Sequence, residues 1–316
     1  MKTTSIGRAL ALAAVLGIGS AAAAPSTLQW VGCSISKLAF MKDLAAAYEK
    51  ETGTRIELEG GGATKGIREV AAHKSDLGGS CRMPLVYRDD KGHYTVENAE
   101  RSVKMIPVGW DALVVIVNKK QMPIESISRD DLRKVLTGEI TNWKELGSPI
   151  DHKIKLYDTQ SRFSGVGLTL RQQLFNNIDQ TFAPSATLLP DSGDVEEAVE
   201  KDPYGIGVTG YSSARLREVR MLWLDGVEPN MQTLKDGRYM LYRILFLVAP
   251  GDFRKRADLS AFVDYTLSVK GQRIIEQAGT LPYRHGMHLL SSAATPEYLQ
   301  TLEMVEQSGI YSPAGH

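Results

Sequence analysis

The chain has 316 residues, and its 37 basic and 37 acidic residues balance to a net charge of zero at neutral pH. This length is enough for two domains, each with its own hydrophobic core. The balanced charge argues against a nucleic-acid or membrane-surface partner. The six histidines are scattered, and the sequence has no catalytic-triad pattern, metal-site spacing or phosphate-binding loop motif. We therefore expect neither an enzyme nor a bound metal or cofactor.

The first 24 residues have the character of a secretory signal peptide. Lys2 and Arg8 give a basic start, residues 9–19 are mostly apolar, and residues 21–24 are alanines that suit cleavage before Pro25. The apolar run is too short to anchor the chain in a bilayer. We expect residues 1–24 to be removed and the mature protein to be released into the periplasm.

Three turns in the first quarter of the chain place glycine and small polar residues directly after short apolar runs. They are residues 31–36, 60–64 and 78–82, and the first two lead into helical patterns. A strand that ends in small residues and opens a helix leaves backbone N–H groups pointing outward, at the positive end of the helix dipole. Together, the three turns predict a pocket for an anion.

Strand and helix patterns alternate around these turns. Strands are predicted at residues 28–32, 55–59 and 76–79, and apolar residues recur at helical spacing around residues 38–48 and 67–71. Short connections between alternating elements favour an α/β fold, with a parallel sheet covered by helices on both faces. In such sheets the ligand binds beyond the carboxyl ends of the strands, where the three turns lie.

The second half of the chain is less regular. Further strands are predicted at residues 113–117, 154–157, 204–211 and 241–248. Further helices are predicted at residues 130–136, after residues 161–165 through 174, at residues 259–279 with a break near Gly271, and at residues 298–305.

Four segments form a set that occurs together in one protein family. They are residues 51–53 running into 60–62, residues 136–147, residues 202–211, and residues 267–279. The most specific stretch is Thr-Gly-Glu-Ile-Thr-Asn-Trp at residues 137–143. The set resembles the phosphate-binding proteins of bacterial ABC importers, within the type II periplasmic solute-binding superfamily. The resemblance implies two lobes joined by a two-stranded hinge, each lobe a mostly parallel sheet flanked by helices.

The resemblance also implies the limits of the lobes and the residues of the site. Lobe 1 would comprise residues 25–107 and 243–290, lobe 2 residues 108–242, and a tail residues 291–316, with crossings near residues 106–110 and 238–243. A small anionic solute would lie in the cleft between the lobes. The residues implied as its ligands are Ser34, Ile35, Ser36, Ala63, Thr64, Ser80, Cys81, Arg82, Arg162, Ser164 and Gly165.

The pocket residues depart from the family pattern in several places. Ile35 and Ser36 replace a threonine and an aromatic residue, and further replacements are Ala63 for serine, Gln160 for arginine, Val166 for threonine and Cys81 for aspartate. Phosphate at neutral pH still carries a proton that a buried carboxylate accepts, whereas a fully ionised anion would be repelled by that carboxylate. With Cys81 at the aspartate position and Arg82 beside it, we expect weak phosphate binding or effective competition by another oxyanion.

The two cysteines of the chain, Cys33 and Cys81, both fall in these turns. The family topology puts their strands side by side, about 4.8 Å apart, which suits the Cα separation of roughly 4.4–6.8 Å in disulfides. An oxidising compartment favours a structural disulfide. The alternatives are a reduced pair that faces a thiophilic ligand, such as arsenite or a soft metal ion, and two inert thiols.

Two functions follow from the resemblance and the cysteines. The first is the periplasmic binding protein of an ABC importer, a monomer that binds a phosphate-like oxyanion and docks on an inner-membrane permease. The second is a periplasmic sensor or accessory protein that uses Cys33 and Cys81 for a thiophilic ligand and signals to a membrane partner.

Overall fold

The computed structural model describes residues 26–88, 94–120, 123–292, 303, 305–307 and 309–311. The predicted signal peptide and most of the helix predicted at residues 298–305 lie outside this part of the chain. None of the described helices combines the length and apolar character that a membrane crossing needs.

The described chain alternates between strands and helices through both halves. The strands are β1 (Thr27–Gly32), β2 (Arg55–Glu59), β3 (Leu77–Ser80), β4 (Val86–Arg88), β5 (Tyr94–Val96), β6 (Val103–Asn118), β7 (Ser126–Ile127), β8 (Lys155–Thr159), β9 (Thr187–Leu189), β10 (Gly205–Gly210), β11 (Val219–Met221), β12 (Trp223–Leu224), β13 (Tyr242–Pro250) and β14 (Leu281–Pro282). The helices are α1 (Ser34–Ser36), α2 (Lys42–Thr52), α3 (Ala63–Ala71), α4 (Arg129–Thr137), α5 (Gly165–Gln173), α6 (Ser192–Lys201), α7 (Tyr211–Ala214), α8 (Met231–Lys235), α9 (Ala257–Leu267), α10 (Val269–Gln277) and α11 (Leu289–Ser292).

Shorter helical turns complete the list. A π-helical turn, Lys37–Met41, joins α1 to α2, and 3₁₀ turns lie at Asn98–Glu100, Trp143–Leu146, Phe253–Lys255 and Tyr283–Gly286. The break predicted near Gly271 occurs at Ser268, whose Oγ accepts a hydrogen bond from the Gly271 N–H and so starts α10 as an N-cap.

The strands form two halves that share β6. In one half the order is β2-β1-β3-β13, with the first three strands parallel and β13 antiparallel to β3; this half is called lobe 1. In the other half β10 is antiparallel to β6, and β8 and β9 continue in parallel; this half is called lobe 2. The prediction of an α/β fold with mostly parallel sheets flanked by helices is confirmed.

The long strand β6 passes from one lobe into the other. Its first part pairs with β13 and its last residues pair with β10, so it extends well beyond the predicted strand at residues 113–117. The ladder between β6 and β13 is irregular where Leu245 faces Gly109 and Phe246 faces Pro107, which leaves Val108 as an extra residue. Bulges, prolines and glycines bend strands. The irregularity falls in the predicted crossing near residues 106–110, whereas the exact lobe limits stay predictions.

Close backbone packing fixes the first and third turns. A Cβ atom on Gly32 would clash with the backbone of Gly79, and one on Gly66 of α3 would clash with the Gly79 carbonyl oxygen. Glycine is needed wherever two backbones approach this closely. The contacts bring β1, β3 and the start of α3 together at one end of the sheet.

A buried ion pair links the two strands between the lobes. Arg243 of β13 lies directly opposite Asp111 of β6, and the closest approach, from Arg243 Nη2 to Asp111 Oδ2, is 3.6 Å. Asp111 Oδ1 accepts a hydrogen bond from the Ser212 N–H of lobe 2. Loss of solvent raises the pKa of Asp111 and lowers the pKa of Arg243 to about 10, although each charge favours the ionised form of the other.

We expect Asp111→Asn or Arg243→Met alone to lower the free energy of unfolding by about 3–5 kcal/mol, because each leaves the other charge buried without a counter-charge. The double variant should lose much less than the sum of the two. Equilibrium unfolding in denaturant, followed by circular dichroism, measures both. Strictly additive losses would mean that the two charges do not interact.

Candidate functional site

A small cavity of about 50 Å³ lies between the two lobes. Lobe 1 contributes Cys33, Ser34, Gly61, Gly62, Ala63, Thr64 and Cys81, and lobe 2 contributes Thr159, Ser161, Ser164, Gly165, Pro190, Asp191 and Ser192. Pockets for drug-sized molecules are about 300–1,000 Å³. The cavity therefore suits an ion or a molecule of very few atoms.

Four helical segments begin in the lining of this cavity. They start at Ser34, Ala63, Gly165 and Ser192, the first residues of α1, α3, α5 and α6. The first of them is short by itself, but the helical backbone continues through the π-helical turn into α2. The first N–H groups of a helix have no partner within it, and they carry the positive end of its dipole. Two lobes thus direct backbone donors at one point, an arrangement that binds anions.

Side-chain caps fix the lobe 2 helices at the cavity. Ser164 Oγ accepts hydrogen bonds from the Gly167 N–H, at 2.9 Å, and from the Thr159 hydroxyl group, at 2.6 Å. Asp191 Oδ1 accepts from the N–H groups of Gly193, at 2.8 Å, and Asp194, at 3.3 Å. Ser164 and Asp191 are therefore the N-cap residues of α5 and α6.

Hydrogen bonds connect the two lobes at the cavity. The Thr64 hydroxyl group of lobe 1 donates to the Phe163 carbonyl oxygen of lobe 2 at 3.0 Å. The Ser34 hydroxyl group donates to Asp191 Oδ2 at 2.7 Å. Within the described part of the chain, no lysine or arginine lines the cavity, and Asp191 is its one charged side chain. The stem of Lys37 is close by: a Cβ placed on Gly60 would lie 3.9 Å from Lys37 Cδ and 3.8 Å from Asp191 Oδ2.

The two cysteines lie between the starts of α1 and α5. Cys33 and Cys81 are joined by a disulfide with their Cα atoms 6.1 Å apart, and both line the cavity. A Cβ on Gly165 would clash with the Cys81 sulfur, so the start of α5 packs directly on this bond. The prediction of a disulfide is confirmed. A thiophilic ligand would first require reduction of the bond.

The two arginines predicted as ligands lie away from the cavity. Arg82 is fully buried against Glu100, with Nη2 2.6 Å from Oε1, because a buried guanidinium needs a counter-charge. It reaches the site through Thr64, whose Oγ1 accepts from Arg82 Nη2 at 3.0 Å. Arg162 forms an ion pair with Asp179 at the surface. Neither places its charge in the cavity lining, contrary to expectation.

Of the other residues predicted as ligands, some line the cavity and some lie outside its lining. Ser34, Ala63, Thr64, Cys81, Ser164 and Gly165 line the cavity, and their contact with a ligand stays a prediction. Ile35, Ser36 and Ser80 are buried outside the lining, since Ile35 packs near Gly210 and the Ser80 hydroxyl group donates to the Arg82 carbonyl oxygen at 2.8 Å.

Several residues in or near the cavity were not predicted from the sequence. Asp191 is the N-cap of α6 and Ser192 is the first residue of that helix, and an aspartate before a helical pattern is an N-cap signal that was available in the sequence. Thr159 ends β8 and Ser161 follows it, at the carboxyl end of a strand of a parallel sheet, where ligands bind. No pattern in the sequence indicated that Arg243 lies near the site. Its Nη1 lies 3.1 Å from the position of a Cβ on Gly165, which puts a buried positive charge behind the start of α5.

We expect Cys33→Ser combined with Cys81→Ser to lower the free energy of unfolding by about 4 kcal/mol, because the disulfide constrains a long loop in the unfolded chain. Denaturant unfolding of the variant and of the oxidised wild type measures this difference. Thiol titration of denatured, unreduced wild-type protein is the control. Two reactive thiols in that titration would contradict the disulfide.

Comparison with known proteins agrees with this fold. Residues 20–270 match the family described as PBP superfamily domain. Phosphate-binding protein PstS of Borreliella burgdorferi is 25% identical over 260 residues, 79% of this chain and 88% of its own length. PstS of Staphylococcus haemolyticus is 29% identical over 227 residues, 69% of each chain.

Two solved structures illustrate the shared fold. A Clostridium perfringens protein crystallised with bound phosphate has a TM-score of 0.70 at 21% identity, over 81% of this chain and 99% of its own. An ABC-type phosphate transport receptor from Vibrio cholerae has a TM-score of 0.58 at 20% identity, over 81% of this chain and 100% of its own. Because the family match covers most of the sequence, this chain belongs to the PBP superfamily.

Proposed function

We propose that this chain is the solute-binding protein of an ABC-type importer and that it binds a small oxyanion, with phosphate as the first candidate, in the cavity between its lobes. The observation that carries the proposal is the convergence of four helix starts, two from each lobe, on one small cavity. The names of the relatives support it, since the two PstS proteins are phosphate-binding proteins.

The chemistry of the lining favours an oxyanion over other small ligands. The helix starts supply N–H donors, and the Ser164 hydroxyl group, which is the acceptor in its bonds with Thr159 and Gly167, can donate its own proton. The hydroxyl protons of Ser34, Thr64 and Thr159 are donated to acceptors of the protein itself. Such donors are fixed before binding, so little reorganisation is needed when an anion enters. The buried guanidinium of Arg243 adds positive potential from behind Gly165, partly offset by Asp111.

The proposed transport role predicts the compartment of the protein and its partner in the membrane. A cleaved signal peptide at residues 1–24 would deliver the chain to the periplasm as a monomer. There it would pass the anion to a permease in the inner membrane. A membrane sensor is the alternative partner for the same binding site.

We expect purified protein to bind one phosphate per chain in isothermal titration calorimetry, and Ser164→Ala to weaken that binding by about tenfold, because hydrogen bonds to charged groups contribute about 1.5–3 kcal/mol. Ser164 lines the cavity and also caps α5.

Ser268→Ala is the matched control. Ser268 caps α10 in the same manner, with its Oγ accepting from a backbone N–H three residues later, but it is remote from the cavity lining. Both variants should lose about 1 kcal/mol of stability, and only Ser164→Ala should lose affinity. Equal losses of affinity, or no binding of any of phosphate, arsenate, sulfate and molybdate by the wild type, would contradict the proposal.

A further inference from the structure

We propose that Asp191 makes the cavity selective for an oxyanion that still carries a proton, such as phosphate or arsenate, over a fully ionised oxyanion such as sulfate. The inference rests on the proposed function and names the chemical class that the same site accepts. In the family pattern, an aspartate at the position of Cys81 has this role. Here we assign the role to a residue of lobe 2.

The hydrogen bonds of Asp191 leave acceptor capacity on one of its carboxylate oxygens. Its Oδ1 is occupied by the N–H groups of Gly193 and Asp194, which hold the side chain at the start of α6. Its Oδ2 accepts one hydrogen bond, from the Ser34 hydroxyl group. Each carboxylate oxygen has two lone pairs, so Oδ2 can accept a second bond from a ligand in the cavity that Asp191 lines.

The rest of the lining lacks a substitute for this carboxylate. Cys81 is oxidised in the disulfide and is a poor hydrogen-bond acceptor. The helix starts supply donors, and the hydroxyl groups serve either role. Among the basic residues near the cavity, Lys37 has its stem near Gly60, and the Lys65 ammonium group lies near Gly61 and is paired with Glu59. Arg243 lies behind Gly165 and is already paired with Asp111.

The charge of Asp191 then distinguishes the two classes of anion. Near neutral pH, phosphate keeps a proton and donates it in a hydrogen bond to the carboxylate. Sulfate has no proton to donate, so its oxygens would face the carboxylate with like charge and no hydrogen bond. The presence of Cys81 at the family's aspartate position led to the expectation of weak phosphate binding or effective competition by another oxyanion. The proposal predicts instead that the Asp191 carboxylate, from the opposite lobe, provides the preference for a protonated anion.

A different role for Asp191 is mechanical, because its bond to Ser34 connects the lobes. The two roles predict different results for Ser34→Ala. That variant removes a lining hydroxyl group and this one hydrogen bond between the lobes, but it keeps the carboxylate. If Asp191 acts on the ligand, affinities change but the phosphate-to-sulfate ratio is retained; if Asp191 acts only through its bond to Ser34, the ratio changes as it does in Asp191→Asn.

The test is calorimetry of phosphate and sulfate binding to the wild type, Asp191→Asn and Ser34→Ala at neutral pH. Asparagine retains the N-cap of α6 and turns an acceptor into an amide donor. We expect Asp191→Asn to bind phosphate about tenfold to a hundredfold more weakly and to bind sulfate more tightly than the wild type does. We expect Ser34→Ala to keep the preference of the wild type for phosphate.

Glu197→Gln is the control for charge alone, since Glu197 is an exposed carboxylate on the same helix, paired with Lys201. Circular dichroism and thermal unfolding confirm that each variant is folded. If Asp191→Asn keeps the phosphate-to-sulfate ratio of the wild type, or if Ser34→Ala or Glu197→Gln shifts that ratio equally, the inference is wrong while the proposed function stands. If the wild type binds neither anion, the proposed function itself fails.

Discussion

The site depends on the close approach of β1, β3 and α3 at Gly32, Gly66 and Gly79. A side chain at any of these positions would separate the backbones, because a Cβ there would overlap a neighbouring backbone or ring atom. The same approach brings Cys33 and Cys81 within bonding distance and directs the starts of α1 and α3 at one point. Packing, the disulfide and the anion-binding donors are therefore consequences of one constraint.

The connection between the lobes combines an irregular strand ladder with a buried ion pair. The irregular pairing around Val108 interrupts the ladder of β6 and β13, whereas the nearby pair of Asp111 and Arg243 is buried and ionic. Buried ion pairs contribute little net stability, since desolvation offsets their attraction. Here the pair also supplies a positive charge behind Gly165, which relates its position to anion binding rather than to stability alone.

The sequence predicted the local features well because short-range chemistry sets them. Glycine-containing turns after apolar runs located the starts of α1 and α3, and alternating patterns indicated the α/β fold. Of the lobe 1 residues predicted as ligands, Ser34, Ala63, Thr64 and Cys81 line the cavity, whereas Ile35, Ser36, Ser80 and Arg82 lie outside its lining. Arg82 lies outside the lining because its side chain pairs with Glu100, which follows β4 and β5 in the chain, and no pattern in the sequence indicates this pairing.

What the sequence determined by itself is therefore the fold class and the turns at which α1 and α3 begin. The tertiary structure alone decided which side chains meet in the cavity. Ser34 and Asp191 are 157 positions apart, and Arg243 reaches Gly165 only because β13 pairs with β6 across the two lobes. Contacts between distant segments depend on the packing of whole sheets, and neither spacing nor periodicity encodes them.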